Sequence, residues 1–231
     1  MSQIEVKNLA LAYDGVAVFK ELDFKVEKGE YICIVGENGS GKSTLIKAML
    51  GQVKPLTGEI VFEDKKKAIG YLPQQTEVQR DFPASVFEVV LSGFLSKSKA
   101  PFFGATQKSE AKGIMKSFGL SEISGKCYRE LSGGQQQRVL LARAFCATGD
   151  IIILDEPVTG LDNKAVAEMY SAIADINKKG VTVIMVTHDV EAAVLNADKI
   201  LHLSHEKNFF GTVSEYKASD IAHNLLKGGA F

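Results

Sequence analysis

The chain opens with short segments in which apolar and polar residues alternate. Residues Gln3 to Leu9, Glu21 to Val26 and Gly58 to Phe62 follow this pattern. Half-buried strands alternate in this way because successive side chains point to opposite faces of a sheet. The three segments therefore predict a small antiparallel sheet.

Four further segments are short and almost wholly apolar: Tyr31 to Val35, Ile69 to Leu72, Ile151 to Leu154 and Val181 to Val186. Runs of this kind are typical of strands buried on both faces of a mostly parallel sheet. They predict the core of an α/β domain.

Helical periodicity replaces the strand pattern between Gln74 and Gly149. Ser85 and Glu88 have the spacing of a capping box at a helix start. Apolar residues fall on one face of two other predicted helices: Ala111, Ile114, Met115 and Phe118 in the first, and Val166, Met169, Tyr170, Ile173 and Ile176 in the second. The second helix follows Gly149 and lies between two core strands, which implies a right-handed βαβ crossover.

We predict one domain, 1–231, in which a helical subdomain, 76–149, is inserted into an α/β core, 1–75 and 150–231.

Composition and charge narrow the class of protein. The 231 residues are 45% hydrophobic and 24% charged, which is enough for a sizeable core. The net charge of −1 gives no overall basic field, so we expect no nucleic-acid partner. Cys33, Cys127 and Cys146 are widely spaced and fit a reducing compartment better than a disulfide framework. We expect no signal peptide and no transmembrane segment, so any membrane function requires other chains.

A glycine-rich loop follows the predicted strand Tyr31 to Val35. Residues 36–44 read GENGSGKST and match G-x-x-x-x-G-K-[ST]. Such a loop turns backbone N–H groups inward around phosphate oxygens, and the positive end of the following helix adds to the attraction. Lys42 adds a full charge, and Ser43 is placed to bind Mg²⁺. We predict that the loop binds the phosphates of a nucleotide through Gly36, Glu37, Asn38, Gly39, Ser40, Gly41, Lys42, Ser43 and Thr44.

Two carboxylates lie at the end of the predicted strand that begins at Ile151. Asp155 and Glu156 are followed by Pro157, which cannot extend a central strand. Ligands bind at the carboxyl ends of strands in α/β sheets. We expect Asp155 to bind Mg²⁺ and Glu156 to polarise the water that attacks the γ-phosphate.

A second candidate anion site is the run LSGGQ at residues 131–135. Ser132 and Gln135 have the S-x-x-Q spacing of a helix start, and Gly133 and Gly134 leave backbone N–H groups uncovered there. The run continues into QQQRVLLARA, which predicts an amphipathic helix.

The phosphate loop, the LSGGQ run and the acidic strand follow one another along the chain in the order of one family, and the chain resembles the ATP-binding subunit of ABC transporters over essentially its whole length. The resemblance implies a P-loop NTPase (RecA-like) core, a small antiparallel β subdomain and a helical subdomain that carries LSGGQ. It also implies roles for five further residues: Gln74 contacts Mg²⁺, His188 contacts the γ-phosphate, Asp162 belongs to the D-loop, and Tyr13 stacks on adenine with Val18 beside it. Other interpretations stay open, since Tyr13 also suits a loop aromatic, Gln75 suits the Gln74 role and His188 suits a core histidine.

A head-to-tail homodimer is the assembly that the resemblance implies. Each ATP is then held by the phosphate loop of one subunit and by residues of the other: Ser132, Gly133, Gly134, Gln135 and Asp162. The remaining partners implied are integral membrane permease subunits and an extracytoplasmic solute-binding protein. The chain itself is expected at the cytoplasmic face of the membrane, as a peripheral subunit that couples ATP hydrolysis to transport.

Two segments resemble the zinc and manganese branch of metal importers. They are the stretch after Gln74, Arg80 to Leu95, and the stretch Phe209 to Tyr216. In the first, Phe82, Val86 and Phe87 either line a groove for a permease helix or belong to a helical core face. Siderophore importers, soluble ABC ATPases of non-transport complexes and small-molecule P-loop kinases are the alternatives. His202 and His205 are expected to point in opposite directions rather than to bind one metal ion.

Overall fold

The structure, a computed structural model, describes residues 2–13, 16–64, 69–74, 81–96, 102–148, 150–204 and 207–223. The chain forms two compact units, the first made of residues 1–65 and 184–231 and the second of residues 66–183. Within the described ranges, no helix has the length and apolar character that crossing a membrane requires. The finer division of the chain at residues 75 and 150 stays a prediction.

An antiparallel sheet occupies part of the first unit, as the alternating segments predict. Its strands are β1 (Ser2–Tyr13), β2 (Val16–Glu27) and β4 (Thr57–Phe62), with β1 in the middle. Val6 lies opposite Phe24 on one side and opposite Ile60 on the other. Val6 and Phe24 are buried, whereas Glu5 on the opposite face pairs with Lys7 and Lys25 at 2.9 and 2.7 Å. One face of the sheet is therefore core and the other is solvated.

The first unit also holds strands of a second sheet: β3 (Tyr31–Gly36), β8 (Lys199–Leu203), β9 (Phe209–Thr212) and the greater part of β7 (Thr182–Val186). They are hydrogen-bonded in the order β7-β3-β8-β9, with β3 and β8 parallel and β9 antiparallel to β8. The described part of this unit also contains the helices α1 (Lys42–Met49), α6 (Val190–Asn196) and α7 (Val213–Lys217). Strand β3 is buried from Tyr31 to Val35 and leads directly to the phosphate loop, as predicted.

The second unit combines strands with the predicted helices. Strands β5 (Gly70–Leu72) and β6 (Ile151–Asp155) are parallel. The helices are α2 (Val86–Leu91), α3 (Ala105–Ser117), α4 (Gly133–Ala147) and α5 (Asn163–Lys178). Short 3₁₀ segments lie at Ser92–Ser96, Ser121–Ile123 and Tyr128–Glu130.

The helix predictions are confirmed, with one correction. Ser85 and Glu88 form the predicted capping box, and the stripe from Ala111 to Phe118 is buried. The suggestion that Val86 lines an exposed groove is wrong, because Val86 is 0% exposed and packs in the core. Among the residues of that suggestion, Phe82 is 56% exposed.

Candidate active site

The phosphate loop requires glycine at the positions where its backbone turns. Gly39 and Gly41 have φ of 85° and 94°, in the region that favours glycine. A Cβ atom added to Gly41 would lie 2.3 Å from Cγ1 of Val18, and one added to Gly36 would lie 2.2 Å from the carbonyl oxygen of Leu203. The loop is thus packed tightly against neighbouring backbone and side chains, and its shape depends on the motif glycines.

Lys42 places its charge on the loop itself. Its side chain is buried, and Nζ donates hydrogen bonds to the carbonyl oxygens of Gly36 at 2.7 Å and Glu37 at 2.8 Å. Lys42 is also the first residue of α1, whose first-turn amides carry the positive end of the helix dipole. A full charge and a set of amides therefore occupy the same turn, which is the arrangement that binds phosphate. The Ser43 side chain is exposed at this turn.

A buried histidine lies beside the strand that leads to the loop. His202 is paired in register with Val35, and its Nδ1 is 2.8 Å from the hydroxyl oxygen of Tyr216. Burial lowers the pKa of His202; Glu37 opposes this shift and Lys42 adds to it. His205, the predicted neighbour facing the other way, lies outside the described residues.

We expect His202 to make the stability of the chain depend on pH. Its pKa in the folded chain lies below the ordinary value of 6.5, so the unfolded chain binds the proton more readily. The free energy of unfolding should therefore fall as pH drops below 6.5, by at most about 1.4 kcal/mol per pH unit. Denaturant unfolding across this range should show a smaller decline in His202→Gln. A variant in which the exposed His223 is replaced by Gln provides the control. Equal declines in the unmodified chain and in both variants would contradict the assignment to His202.

His188 lies in a loop whose two ends are fixed. The Thr187 amide before it donates to the carbonyl oxygen of Ile34 in β3 at 3.1 Å. Asp189 after it caps α6, accepting from the Ala192 amide at 2.8 Å. His188 itself is exposed. The core-histidine interpretation is therefore wrong, and contact with the γ-phosphate stays a prediction.

The acidic end of β6 holds two carboxylates in different settings. Asp155 is buried and accepts a hydrogen bond from Tyr71. Burial raises the pKa of Tyr71 to about 12, and the charge and hydrogen bond of Asp155 act in the same direction. Tyr71 therefore stays protonated and donates to Asp155. The partnership depends on the parallel register that pairs Tyr71 with Ile153.

Glu156 stands where the chain turns out of the strand. Its φ of 48° lies in the left-handed region, which costs a residue other than glycine about 1–3 kcal/mol and occurs often at active sites. Its Oε2 accepts hydrogen bonds from the Gln74 amide nitrogen at 3.1 Å and from the Thr159 hydroxyl at 3.2 Å. The turn and the two donors together fix the direction of this carboxylate. Gln75, the alternative to Gln74, lies outside the described residues.

The LSGGQ turn is a capped helix start, as its spacing predicts. Ser132 caps α4, with its hydroxyl accepting from the Gln135 amide at 3.4 Å while the Gln135 side chain accepts from the Ser132 amide at 3.1 Å. Ser132 and Gly133 are exposed. Asp162 caps α5 in the same unit and accepts from the Ala165 amide at 2.9 Å.

The two glycines of the turn differ in the space around them. A Cβ atom added to Gly134 would lie 2.7 Å from Cβ of Ala165 in α5, whereas one added to Gly133 would lie 3.7 Å from Cδ2 of Leu161. The first distance is a clash and the second an ordinary contact. The start of α4 therefore packs directly on α5 through Gly134, and this contact fixes where the turn lies within its unit.

We expect Gly134→Ala to lower the free energy of unfolding by about 1–3 kcal/mol, because the added methyl overpacks the contact between the helices. Gly133→Ala is the matched control and should cost little. Ala165→Gly should recover part of the loss when it is combined with Gly134→Ala. Denaturant unfolding of the four chains measures these effects, and equal losses for the two glycines would contradict the packing account.

Several site residues stand outside the predictions or beyond what the structure describes. The Tyr13 side chain is not among the described side chains, so adenine stacking stays a prediction; Val18 is partly exposed beside Gly41. Sequence reasoning missed Tyr71 and Thr159 as partners of the two carboxylates. Thr159 lies three residues after Glu156, a spacing that suits a turn. Tyr71 has no such signal, because its contact depends on strand register.

Comparisons with known proteins agree with the motifs. The family model described as ABC transporter matches residues 19–159, more than half of the chain. The manganese transport system ATP-binding protein MntB of Bacillus subtilis is 37% identical over 219 residues, which cover 91% of this chain and 87% of that protein. The zinc transport system ATP-binding protein AdcC of Streptococcus pneumoniae is 37% identical over 88% of this chain and 90% of its own length.

A solved structure extends the agreement to three dimensions. The dimeric structure of MJ0796, a bacterial ABC transporter cassette, is 27% identical and superposes with a TM-score of 0.75 over 91% of this chain and 98% of that one. The predicted P-loop NTPase fold is thereby confirmed. The phosphate loop, the LSGGQ turn and the acidic strand all lie inside the matched segment. The chain belongs to the ABC transporter family as an ATP-hydrolysing subunit.

Proposed function

We propose that this chain hydrolyses ATP for separate membrane permease subunits and thereby energises the import of a divalent metal ion, zinc or manganese. One observation supports zinc or manganese as the transported ion. Relatives named for manganese and zinc transport are 37% identical to the chain over most of both lengths.

In this proposal each site residue has one task on the nucleotide. The amides of residues 36–44 and the ammonium of Lys42 bind the phosphates, and Tyr13 with Val18 holds adenine. His188 contacts the γ-phosphate. Glu156 orients the attacking water and accepts its proton, and its two hydrogen-bond donors support that task by fixing the carboxylate.

Magnesium fits the oxygen donors that the sequence assigns to it. The set consists of the Ser43 hydroxyl, the Asp155 carboxylate and the Gln74 amide, and Mg²⁺ prefers oxygen ligands. The Gln74 amide nitrogen donates to Glu156, which leaves the amide oxygen to act as a ligand. The ion, when bound, neutralises charge on the phosphate oxygens. Tyr71 keeps Asp155 hydrogen-bonded and its carboxylate oriented.

The working form in this proposal is a homodimer with two ATP molecules between the subunits. The exposed Ser132 and Gly133 support it, since they leave the positive end of α4 open to an anion from outside the subunit. The dimeric cassette with the same fold supports it as well. Asp162 and Gln135 complete the set supplied to the opposite nucleotide.

An apolar groove in the second unit supports a permease partner. The groove has a volume of about 620 Å³. Phe82 and Leu95 at this groove are 56% and 63% exposed. Large exposed apolar side chains around a concave surface mark interaction sites. The groove is lined by the following residues: Tyr71, Leu72, Pro73, Phe82, Pro83, Ala84, Glu88, Val89, Ser92, Leu95, Tyr128, Leu140 and Arg143.

The proposal also includes the remaining partners and the location, which go together with docking of a permease helix in the groove. The chain then works as a peripheral subunit at the cytoplasmic face of the membrane. The metal ion reaches the permease from an extracytoplasmic solute-binding protein, and the chain never touches it. ATP binding and hydrolysis drive the permease through closing and opening of the dimer.

Metal content of cells tests the proposal. Deleting the gene should lower cellular zinc or manganese, measured by mass spectrometry in chelator-limited medium. The unmodified gene should restore the metal, and a Glu156→Gln gene should not. Unchanged cellular zinc and manganese after the deletion would contradict the proposal that the chain serves import of these ions. A selective loss of iron would assign the chain to a siderophore importer instead.

A further inference from the structure

Among the residues that the structure describes, Glu88 and Arg143 are the charged side chains that line the apolar groove of the second unit. They differ in what they contact. The Glu88 carboxylate accepts hydrogen bonds from the amide and the hydroxyl of Ser85, at 2.8 and 2.7 Å. Bonding to the Ser85 hydroxyl and amide also lowers the pKa of Glu88. The Glu88 charge is therefore used within the chain, to cap α2.

Arg143 has no such use. Its side chain is exposed and, among the residues that the structure describes, forms no ion pair or hydrogen bond. Arg143 also lines a second cavity of about 410 Å³, together with Tyr71, Pro73, Ser92 and Leu95, which line the groove as well. The guanidinium thus belongs to a concave apolar surface, and among the described residues it forms no ion pair, because the Glu88 carboxylate there is bonded to Ser85.

The backbone that carries Arg143 is held firmly. A Cβ atom added to Gly93 would lie 2.2 Å from the Arg143 carbonyl oxygen and 2.7 Å from Cβ of Cys146. Helix α4 therefore packs closely on the 3₁₀ segment Ser92–Ser96. Because this backbone is fixed, the guanidinium is presented from a defined point of the groove.

We infer that Arg143 selects the segment that docks in the groove by pairing with a carboxylate side chain of that segment. The inference rests on the proposed function, in which the groove receives a permease helix. The occupant is an amphipathic helix with one apolar face and an Asp or Glu at the edge of that face. An arginine binds a carboxylate through two parallel hydrogen bonds, and an apolar surrounding strengthens the pair by excluding water.

Charge complementarity decides between kinds of occupant. A purely apolar helix would cover the guanidinium without replacing its hydration, which costs free energy. A basic helix would add repulsion. An acidic residue in the helix satisfies the guanidinium and fixes the register of docking, so the carboxylate contributes specificity as well as affinity.

Synthetic helices test the inference directly. The probe is an end-blocked, fluorescent peptide of about 15 residues, long enough for an isolated helix to begin to form in water. Its apolar residues follow helical spacing, and one edge position carries Glu, Gln or Lys. Fluorescence anisotropy measures binding to the complete chain. We expect the Glu peptide to bind about tenfold more tightly than the Gln peptide, with the Lys peptide weakest.

Charge reversal gives the sharper comparison. Arg143→Glu should invert the order, so that the Lys peptide binds more tightly than the Glu peptide. Arg129→Glu makes the same change of charge at an exposed residue that does not line the groove, and should keep the original order. Should Arg143→Glu fail to fold in a thermal melt, Arg143→Gln should abolish the difference between the Glu and Gln peptides.

Equal affinity for all peptides, an order that Arg143→Glu leaves unchanged, or no binding of any peptide would each overturn the inference. ATP turnover of the unmodified chain, measured on the same preparation, separates this failure from failure of the proposed function. Turnover without a charge preference rejects only the role of Arg143. A charge preference without turnover supports that role and rejects the proposed function.

Discussion

Replacing Glu156 with Gln is expected to reduce ATP turnover by a factor of about 10²–10⁴, the usual contribution of a general base. Glutamine is nearly isosteric and keeps an oxygen that accepts from Gln74 or Thr159, but it cannot take a proton from the attacking water. ATP binding should persist, because the phosphate loop is unchanged. Phosphate release measures turnover, and a fluorescent ATP analogue measures binding.

A matched substitution separates this effect from loss of any carboxylate. Glu122 is exposed in a 3₁₀ segment of the same unit, so Glu122→Gln should keep full turnover. Turnover of Glu156→Gln close to that of the unmodified chain would reject the role of Glu156 as base. Loss of ATP binding together with turnover would instead assign Glu156 to nucleotide binding.

Replacing Ser132 with Arg is expected to abolish ATP-dependent dimer formation. The substitution removes a helix cap and places a bulky cation at the positive end of α4, where the account puts the γ-phosphate of the opposite subunit. Light scattering with ATP measures the dimer, in a Glu156→Gln background that prevents hydrolysis.

Loss of the cap alone has a smaller effect, which Ser132→Ala measures. That variant should lose about 1 kcal/mol of stability and still form dimers with ATP, since it adds neither bulk nor charge. Dimers of Ser132→Arg at the same ATP concentration would contradict the placement of LSGGQ at the dimer interface.

The sequence predicted those features whose physical cause is local. The two predicted capping boxes, Ser85 with Glu88 and Ser132 with Gln135, depend on residues three positions apart, and both are present. The apolar runs also form strands as predicted, because a strand that is covered on both faces needs apolar residues at nearly every position. The presence and place of the phosphate loop likewise follow from residues that are neighbours in the chain.

Features that depend on register or on backbone conformation were not predictable. Tyr71 reaches Asp155 because β5 and β6 pair in one particular register, and His202 meets Tyr216 across 14 positions. The positive φ of Glu156 reflects the whole turn after β6 rather than the residue itself. Val86 shows the reverse case, a suggested groove residue that the structure places in the core. An apolar residue on a short helix fits a groove and a core equally well until the packing is known.

In the proposed dimer, each nucleotide is held by the phosphate loop of one copy and the LSGGQ turn of another. Mixing two inactive chains tests it: Lys42→Ala has a defective loop and an intact turn, and Ser132→Arg has the reverse. In a mixed dimer one site combines both defects and the other combines both intact halves. The account predicts that ATP turnover, absent from each variant alone, returns when they are mixed. Full turnover by Ser132→Arg alone, or a mixture no more active than the sum of its parts, would contradict it.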